Sequence, residues 1–234
     1  MTQPQRTDLP SAVYDLAMRL GVSPDDNHDG VRLTQTGRMK TSLESEAWMD
    51  FTATQTISNR TCEFDWRAKA GPFGLLTARD ALDHGEGRLD IMAAGVIPIA
   101  RAEHTTALLR GELMRYLAEL PWAPAAILLN TALRWRVEGP DRLAVSGGSG
   151  ETTSEVILSL DTDGRIRSGF APDRPRSATP PILITPWRGT FGDYRLRGTI
   201  WLPHKGEVAW EMAGQDGPYW QGRLDHWEQT DDAD

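Results

Sequence analysis

The chain has 234 residues, of which 39% are hydrophobic and 25% are charged, and its formal net charge is −8. This composition indicates a globular protein with a core of its own and excludes a fibrous or disordered chain. The acidic balance argues against a nucleic-acid partner, because phosphate binding needs clustered Lys and Arg side chains.

The N-terminal segment predicts a helix. Apolar residues recur at helical spacing over residues 9–20, and Gly21 closes the pattern. The segment has neither the basic start nor the continuous apolar run of a signal peptide. The longest apolar run in the chain, residues 123–129, is far shorter than the ~20 residues that cross a bilayer. We therefore expect a cytoplasmic protein without a transmembrane segment.

After residue 30 the hydrophobic period changes from that of a helix to two. The clearest alternation lies in residues 62–70, where charged side chains occupy one face. The other face carries Cys62, Phe64, Trp66, Ala68 and Ala70. This pattern is typical of a half-buried antiparallel strand. We expect Cys62 to be a small buried residue, and a single cysteine excludes an internal disulfide.

The later elements are also predicted to be strands. Asp163-Gly164 predicts a hairpin turn within residues 155–170. The proline-rich residues 180–186 should enter a strand from a loop or run along the edge of a sheet. The C-terminal part predicts short strands that are interrupted at residues 204–206 and 214–217. Alternating stretches predict further strands over residues 51–57, 75–82, 88–94, 133–137 and 143–146.

Together these elements predict a mainly β protein of the α+β class. We expect a curved antiparallel sheet, a half-barrel or open barrel, wrapped around a central helix, with an additional N-terminal helix. The chain should form a single domain over residues 1–234. Its parts are an N-terminal helix and polar loop (1–30), antiparallel strands (31–100), a central helix and a short second helix (104–129), further antiparallel strands (132–228) and an acidic tail (229–234).

Residues 108–120 predict the central helix. At ~100° per residue, apolar side chains cover more than half of its circumference. A helix that lies on the surface of a sheet usually shows a more even split. We therefore infer that a curved sheet surrounds this helix on several sides. Pro121 ends it, and Pro124 can begin a short helix over residues 125–129.

Glu112, Arg115 and Glu119 form a narrow polar stripe along the central helix. Their spacing is more often that of a solvent-facing ladder of ion pairs. Alternatively, the stripe points into a cavity as the polar end of an otherwise apolar ligand site. In that case Arg115 would contact an anionic head group, and the two glutamates would orient it. Tyr116 and Trp122 would line the site of the apolar tail.

The chain has nine tryptophans. Three lie on apolar strand faces, where we expect core packing because an indole buries so much area: Trp66, Trp210 and Trp220. Four others lie near the ends of elements, beside prolines or charges, where a ring that lines a pocket is the alternative: Trp122, Trp135, Trp187 and Trp201.

Residues 80–90 concentrate groups that could bind a cation or act as acid and base: Asp80, Asp83, His84, Glu86 and Asp90. Acid-rich turns are also common solubilising features. The five histidines of the chain are isolated from one another in sequence, and no phosphate-binding or dinucleotide-binding loop is present. We therefore expect neither a cofactor nor a metal.

The order of several motifs resembles a family of bacterial proteins that is known only as a domain of unknown function. The motifs are VRLTQTG (31–37), WMDFTATQ (48–55), FDWRA (64–68), GELMRYLAE (111–119), PWRG (186–189), DY (193–194), GEVAW (206–210) and PYWQGR (218–223). The resemblance covers nearly the whole chain. At the level of fold, the predicted sheet and helix are similar to the half-barrel of lipoprotein-carrier-type proteins, which implies a concave face that holds acyl chains.

We therefore expect non-catalytic binding of an apolar or amphipathic small molecule, such as a lipid or acyl chain, in a half-barrel cavity. One alternative is an enzyme for a hydrophobic substrate, with Glu112 or the cluster at residues 80–84 as acid or base. Another alternative is an interaction module whose core is filled by its own side chains. The sequence carries no signal of oligomeric state.

Overall fold

A computed structural model describes residues 9–40, 42–43, 45–93, 97–103, 105–177, 180–212 and 215–231. Residues 1–8 of the predicted N-terminal segment and residues 232–234 of the predicted tail lie outside the described residues. Within these ranges, thirteen antiparallel strands form one sheet, which curls into a half-barrel around a helix. The mainly β half-barrel with a central helix and an N-terminal helix is confirmed.

Most strands of the sheet are hairpin neighbours in the chain. The order across the sheet is β6-β5-β4-β3-β2-β1-β13-β12-β11-β10-β9-β8-β7, so β1 and β13 join the two halves. The strands are β1 (Gly30–Met39), β2 (Met49–Ser58), β3 (Phe64–Ala70), β4 (Leu76–Asp83), β5 (Glu86–Ala93), β6 (Ile97–Glu103), β7 (Arg134–Gly139), β8 (Arg142–Gly147), β9 (Ser154–Leu160), β10 (Ile166–Pro175), β11 (Ile184–Arg197), β12 (Ile200–Met212) and β13 (Gln215–Thr230).

Three helices accompany the sheet in the described ranges: α1 (Ser11–Arg19), α2 (Thr106–Ala118) and α3 (Ala126–Leu129). α2 is the helix inside the curl, and it packs against β4 and β5 on one side and β8, β9 and β10 on the other. It begins after Thr105, whose hydroxyl oxygen accepts a hydrogen bond from the Leu108 backbone N–H at 3.1 Å. None of the described helices is long and apolar enough to span a bilayer.

The period-two pattern places alternate residues of each strand on the concave face. Gln55, Trp66, Asp80 and Leu89 lie directly opposite one another on four neighbouring strands. One row of the inner face therefore contains two polar side chains among apolar ones. Because side chains opposite each other on one face are close enough to interact, this row brings polar groups of distant sequence together.

A row of glycines also crosses the inner face. Gly37, Gly222 and Gly206 are opposite one another on β1, β13 and β12. A Cβ atom at Gly206 would lie 3.1 Å from the ring of Trp122, and one at Gly222 would lie 2.2 Å from the ring of Trp220. The glycines thus let indole rings lie directly on the backbone of the sheet.

Two strand predictions need correction. The predicted interruption at residues 204–206 is wrong, because β12 runs through it without a break. Gly206 resembled a turn residue in the sequence, whereas in the fold it gives space to an indole ring. Cys62 precedes β3 and is only partly buried. Burial raises the pKa of its thiol to about 11.

Candidate functional site

A cavity of about 330 Å³ lies between α2 and the concave face of the sheet. β3, β4 and β5 form one wall, and β10 to β13 form the other. Further depressions lie on the outer side of the sheet, among threonines and charged residues such as Thr52, Thr54 and Arg67. We take the inner cavity as the candidate site, because ligand sites are mostly apolar with a few converging polar groups.

The polar stripe of α2 faces this cavity. Glu112 is 5% exposed and Glu119 is 9% exposed, and both line the cavity together with Arg115. The solvent-facing ladder is therefore wrong as an interpretation of the spacing. The opposite side of the helix is apolar and packs into the core. The side chains of Arg115 and Glu119 retain 14% and 12% exposure. The contribution of these three residues to binding stays a prediction.

Arg115 is neutralised by carboxylates of the protein itself. Its Nη1 donates a hydrogen bond to Asp80, and its Nε donates to Glu119 at 2.8 Å. Gln55 Nε2 donates to the other oxygen of Glu119 at 2.5 Å. The guanidinium carbon also lies 4.8 Å from the ring centroid of Phe64. Burial lowers the pKa of Arg115, but the carboxylates of Glu119 and Asp80 outweigh burial and raise it overall.

Glu112 lies beside these groups and favours its neutral form. Burial raises the pKa of Glu112 well above its usual value, and the nearby Asp80 carboxylate raises it further. One oxygen of each group, Glu112 Oε2 and Asp80 Oδ1, has no hydrogen-bond partner among the described residues. A protonated Glu112 can donate a hydrogen bond to Asp80, which two ionised carboxylates cannot do.

Arg174 lies in the opposite wall of the cavity and is 8% exposed. Its guanidinium carbon is 4.3 Å from a ring centroid of Trp187 and 5.7 Å from one of Trp210. Its Nε and Nη1 have no hydrogen-bond partner among the described residues. Sequence analysis missed Arg174 because the register of β10 shifts between Ala171 and Arg174, and such a shift changes the face on which later residues lie.

Aromatic rings form much of the remaining lining. Trp122 Nε1 donates a hydrogen bond to the Pro203 carbonyl oxygen at 3.0 Å, and Trp187 Nε1 donates to the Tyr219 hydroxyl at 3.0 Å. Because the protein satisfies these N–H groups, the rings present apolar surface to the cavity. The tryptophans that line it are Trp66, Trp122, Trp187, Trp210 and Trp220, so three that we expected in the core also contribute to the site.

Tyr116 does not lie where the sequence suggested. It is fully buried on another face of α2, and it is not part of the cavity lining. Its hydroxyl donates a hydrogen bond to the Ser58 carbonyl oxygen at 3.0 Å and accepts one from Asn130 Nδ2 at 2.9 Å. Successive helical side chains point ~100° apart, so Tyr116 faces away from the cavity when Arg115 faces it. The prediction that Tyr116 lines a tail site is therefore wrong, and its side chain anchors α2 instead.

The acidic cluster at residues 80–90 is divided by the sheet. Asp80 points into the cavity, whereas Asp90 lies opposite Arg79 on the outer face and accepts from Arg88 Nε at 2.5 Å. Ligand atoms of Glu63, Asp83 and His84 lie within 4.8 Å of one another near the β4–β5 turn. The hydrogen bond to Asp83 raises the pKa of His84. Asp83 and His84 are exposed and Glu63 is partly buried, and an acidic turn of this kind does not by itself indicate a metal site.

The family is settled by comparison of the sequence. The profile of DUF6544, described as a family of unknown function, matches residues 1–222. The chain belongs to the DUF6544 family. Among the curated proteins, none matches this DUF6544 member.

Solved structures support the fold of this DUF6544 member. A LolA superfamily protein from Nitrosomonas europaea is 10% identical, with a TM-score of 0.52 over 94% of this chain and 93% of its own. A DUF1329 family protein from Desulfovibrio piger is 12% identical, with a TM-score of 0.54 over 95% and 94%. A Vibrio parahaemolyticus domain assigned to outer membrane lipoprotein sorting is 10% identical, with a TM-score of 0.50 over 94% and 91%. At such identities the similarity extends to the fold alone.

Proposed function

We propose that the protein binds an apolar or amphipathic small molecule, such as a lipid or acyl chain, inside the half-barrel and releases it chemically unchanged. The observation that carries this proposal is the cavity of about 330 Å³ beneath α2, with its five tryptophans. Its volume falls within the ~300–1,000 Å³ that is usual for ligand sites. An unfilled cavity of this size argues against an interaction module with a solid core.

The fold gives a second line of support. The Vibrio parahaemolyticus domain that shares the half-barrel is described as that of an outer membrane lipoprotein-sorting protein. Similarity of fold does not fix function. The apolar lining of the present cavity makes a lipid a reasonable occupant here. The proposed activity is therefore that of a binding or carrier protein.

Native mass spectrometry of the purified protein tests this proposal, with tryptophan fluorescence as the second measurement. We expect an adduct of a lipid or other amphiphile, and a fluorescence change when the ligand-free protein is titrated with dodecanol. Ala78→Phe should weaken binding, because Ala78 lines the cavity. Thr77→Phe is the matched control on the opposite face of β4, since its cross-strand partners are Lys69 and Met92.

Two results would overturn the binding proposal. One is a protein that shows only its own mass and no response to dodecanol. The other is an Ala78→Phe variant that folds normally and binds dodecanol as tightly as the unsubstituted protein.

A second candidate function is supported by one observation, the buried pair of Glu112 and Asp80. A carboxyl with a raised pKa beside a carboxylate is an arrangement that acid–base enzymes use. In this cavity, however, Asp80 is engaged by Arg115. Turnover of an acyl ester that stops in the Glu112→Gln variant would favour catalysis. Binding of the same ester without turnover would exclude it for that class of substrate.

A further inference from the structure

The cavity contains a buried cation whose Nε and Nη1 atoms have no hydrogen-bond partner in the described part of the protein. Arg174 is as buried as the glutamates of the stripe, yet no described carboxylate forms an ion pair with it. The Trp187 and Trp210 rings lie against its guanidinium but cannot replace the hydrogen bonds that Nε and Nη1 would make in water. A buried charge without such partners is costly. An acceptor that enters the cavity would compensate this cost.

The space in front of Arg174 is suited to a small group. One edge of its guanidinium faces Gly111 of α2. A Cβ atom at Gly111 would be 3.8 Å from Arg174 Nε and 4.0 Å from Nη2, with the Pro175 carbonyl oxygen as its nearest neighbour at 3.7 Å. The absence of a side chain at Gly111 therefore leaves room for a methyl-sized group beside this edge.

No described acid forms an ion pair with Arg174. Burial and Asp80 raise the pKa of Glu112 and outweigh the opposing effect of Arg174, so its neutral carboxyl is favoured. The carboxylates of Asp80 and Glu119 both form ion pairs with Arg115. An oxyanion of a ligand would supply the hydrogen-bond acceptors that Arg174 Nε and Nη1 lack.

We propose that Arg174 binds the oxyanion head group of a single-chain amphiphile, a carboxylate or a phosphate, whose apolar chain lies along the tryptophans. This inference rests on the proposed function and specifies the class of ligand. A cavity near the lower end of the usual range accommodates one chain more readily than several. An oxyanion matches Arg174 because guanidinium N–H groups form their strongest hydrogen bonds with ionised oxygens.

Isothermal titration of the full chain with four probes of equal chain length tests the proposal. The probes are dodecanoate, dodecyl phosphate, dodecanol and dodecylammonium. We expect at least one anionic probe to bind about tenfold to a hundredfold more tightly than dodecanol, the difference that a hydrogen bond to a charged group makes. Dodecylammonium should bind most weakly. The two anionic probes distinguish a carboxylate from a phosphate as the preferred head group.

Arg174→Met should abolish the preference for the anions and leave dodecanol binding intact. The matched control is Arg165→Met. Arg165 also lies over two aromatic rings, with its guanidinium carbon 3.8 Å from Trp201 and 5.7 Å from Tyr194, but it is outside the cavity lining and has Asp163 as an ion-pair partner at 3.3 Å. This control should keep the preference. Arg174→Lys, which retains the charge, should keep part of it.

The outcomes separate this inference from the proposed function. If the unsubstituted protein binds dodecanol and the anions equally, or if Arg174→Met keeps the full preference, the oxyanion site is refuted while ligand binding stands. If none of the probes binds, both proposals fail. If Arg174→Met does not fold, Arg174→Gln replaces it, and an unchanged preference of that variant for dodecyl phosphate and dodecanoate over dodecanol refutes the site.

Discussion

Arg115 and Arg174 both line the cavity, but the protein compensates their charges in different ways. Arg115 donates to Asp80 and Glu119, and Gln55 fixes the second of these carboxylates. Arg174 has aromatic rings on its faces and unpartnered N–H groups at its edges. Both are buried in the same cavity, so burial alone does not distinguish them.

This difference makes Arg115 a structural cation, whereas Arg174 is available to a ligand. Removing Arg115 would strand two carboxylates inside the protein, whereas removing Arg174 would strand no acid that it pairs with. The first arginine is therefore expected to act on the stability of the fold, and the second on the affinity for a ligand. The sequence pattern indicated Arg115 as the contact for a head group, because helical spacing places it on a polar stripe. The geometry makes Arg174 the better candidate.

The largest expected effect is the loss of stability in Arg115→Met. Breaking a buried ion pair from one side typically costs about 3–5 kcal/mol, because the remaining charges are uncompensated. Urea unfolding measures this change in the free energy of unfolding. Arg79→Met is the control, since Arg79 and its partner Asp65 are more exposed and such pairs contribute about 1 kcal/mol or less. If Arg115→Met loses no more stability than Arg79→Met, the structural role that distinguishes Arg115 from Arg174 is refuted.

Glu112→Gln should change how stability depends on pH. The folded protein raises the pKa of Glu112 above the ordinary value of 4.5, so the folded state holds this proton more tightly than the unfolded chain does. Its contribution to stability is fully present below 4.5 and is lost as the pH rises through the folded-state pKa.

Relative to the unsubstituted protein, Glu112→Gln should therefore become more stable as the pH rises, by about 1.4 kcal/mol for each unit of the pKa shift. Urea unfolding of both proteins at a series of pH values from mildly acidic to mildly alkaline measures the difference. A difference in stability that does not change with pH would mean that Glu112 ionises in the cavity as it does in water. Asp80 would then face a second carboxylate, contrary to the assignment above.

The smallest expected effect is a gain in stability in Gly111→Ala. Alanine is favoured over glycine inside a helix by about 1 kcal/mol. The added Cβ atom meets only ordinary van der Waals contacts, the nearest at 3.7 Å. The same atom covers part of the free edge of Arg174, so binding of dodecanoate should weaken more than binding of dodecanol. Thermal unfolding and titration measure the two effects, and an unchanged ratio of the two affinities would place the anion elsewhere.

Much of the fold could be predicted from periodicity. The wide apolar arc of residues 108–120 indicated a helix enclosed by a curved sheet, and α2 occupies that position. The alternation in residues 62–70 identified β3. The continuous course of β12 could not be predicted, because His204 and Gly206 are typical of turns in sequence but are buried in the strand for reasons of packing.

The candidate site could be predicted mainly on its helical wall. The stripe of Glu112, Arg115 and Glu119 was visible because helical spacing places the three on one face. Arg174 was not visible, since an irregularity in β10 decides its direction and leaves no local signal in the sequence. The partnership of Arg115 with Asp80 depends on how α2 packs on β4, which brings together residues 35 positions apart in the sequence.

One face of α2 is anchored to the rest of the protein, and another face lines the cavity. On the anchored face, Tyr116 is hydrogen-bonded to Ser58 and Asn130. On the face that lines the cavity, Gly111 and Ala118 are small residues whose replacement need not disturb those hydrogen bonds. Substitutions at these two positions should therefore change the volume of the cavity while the anchoring of α2 stays the same.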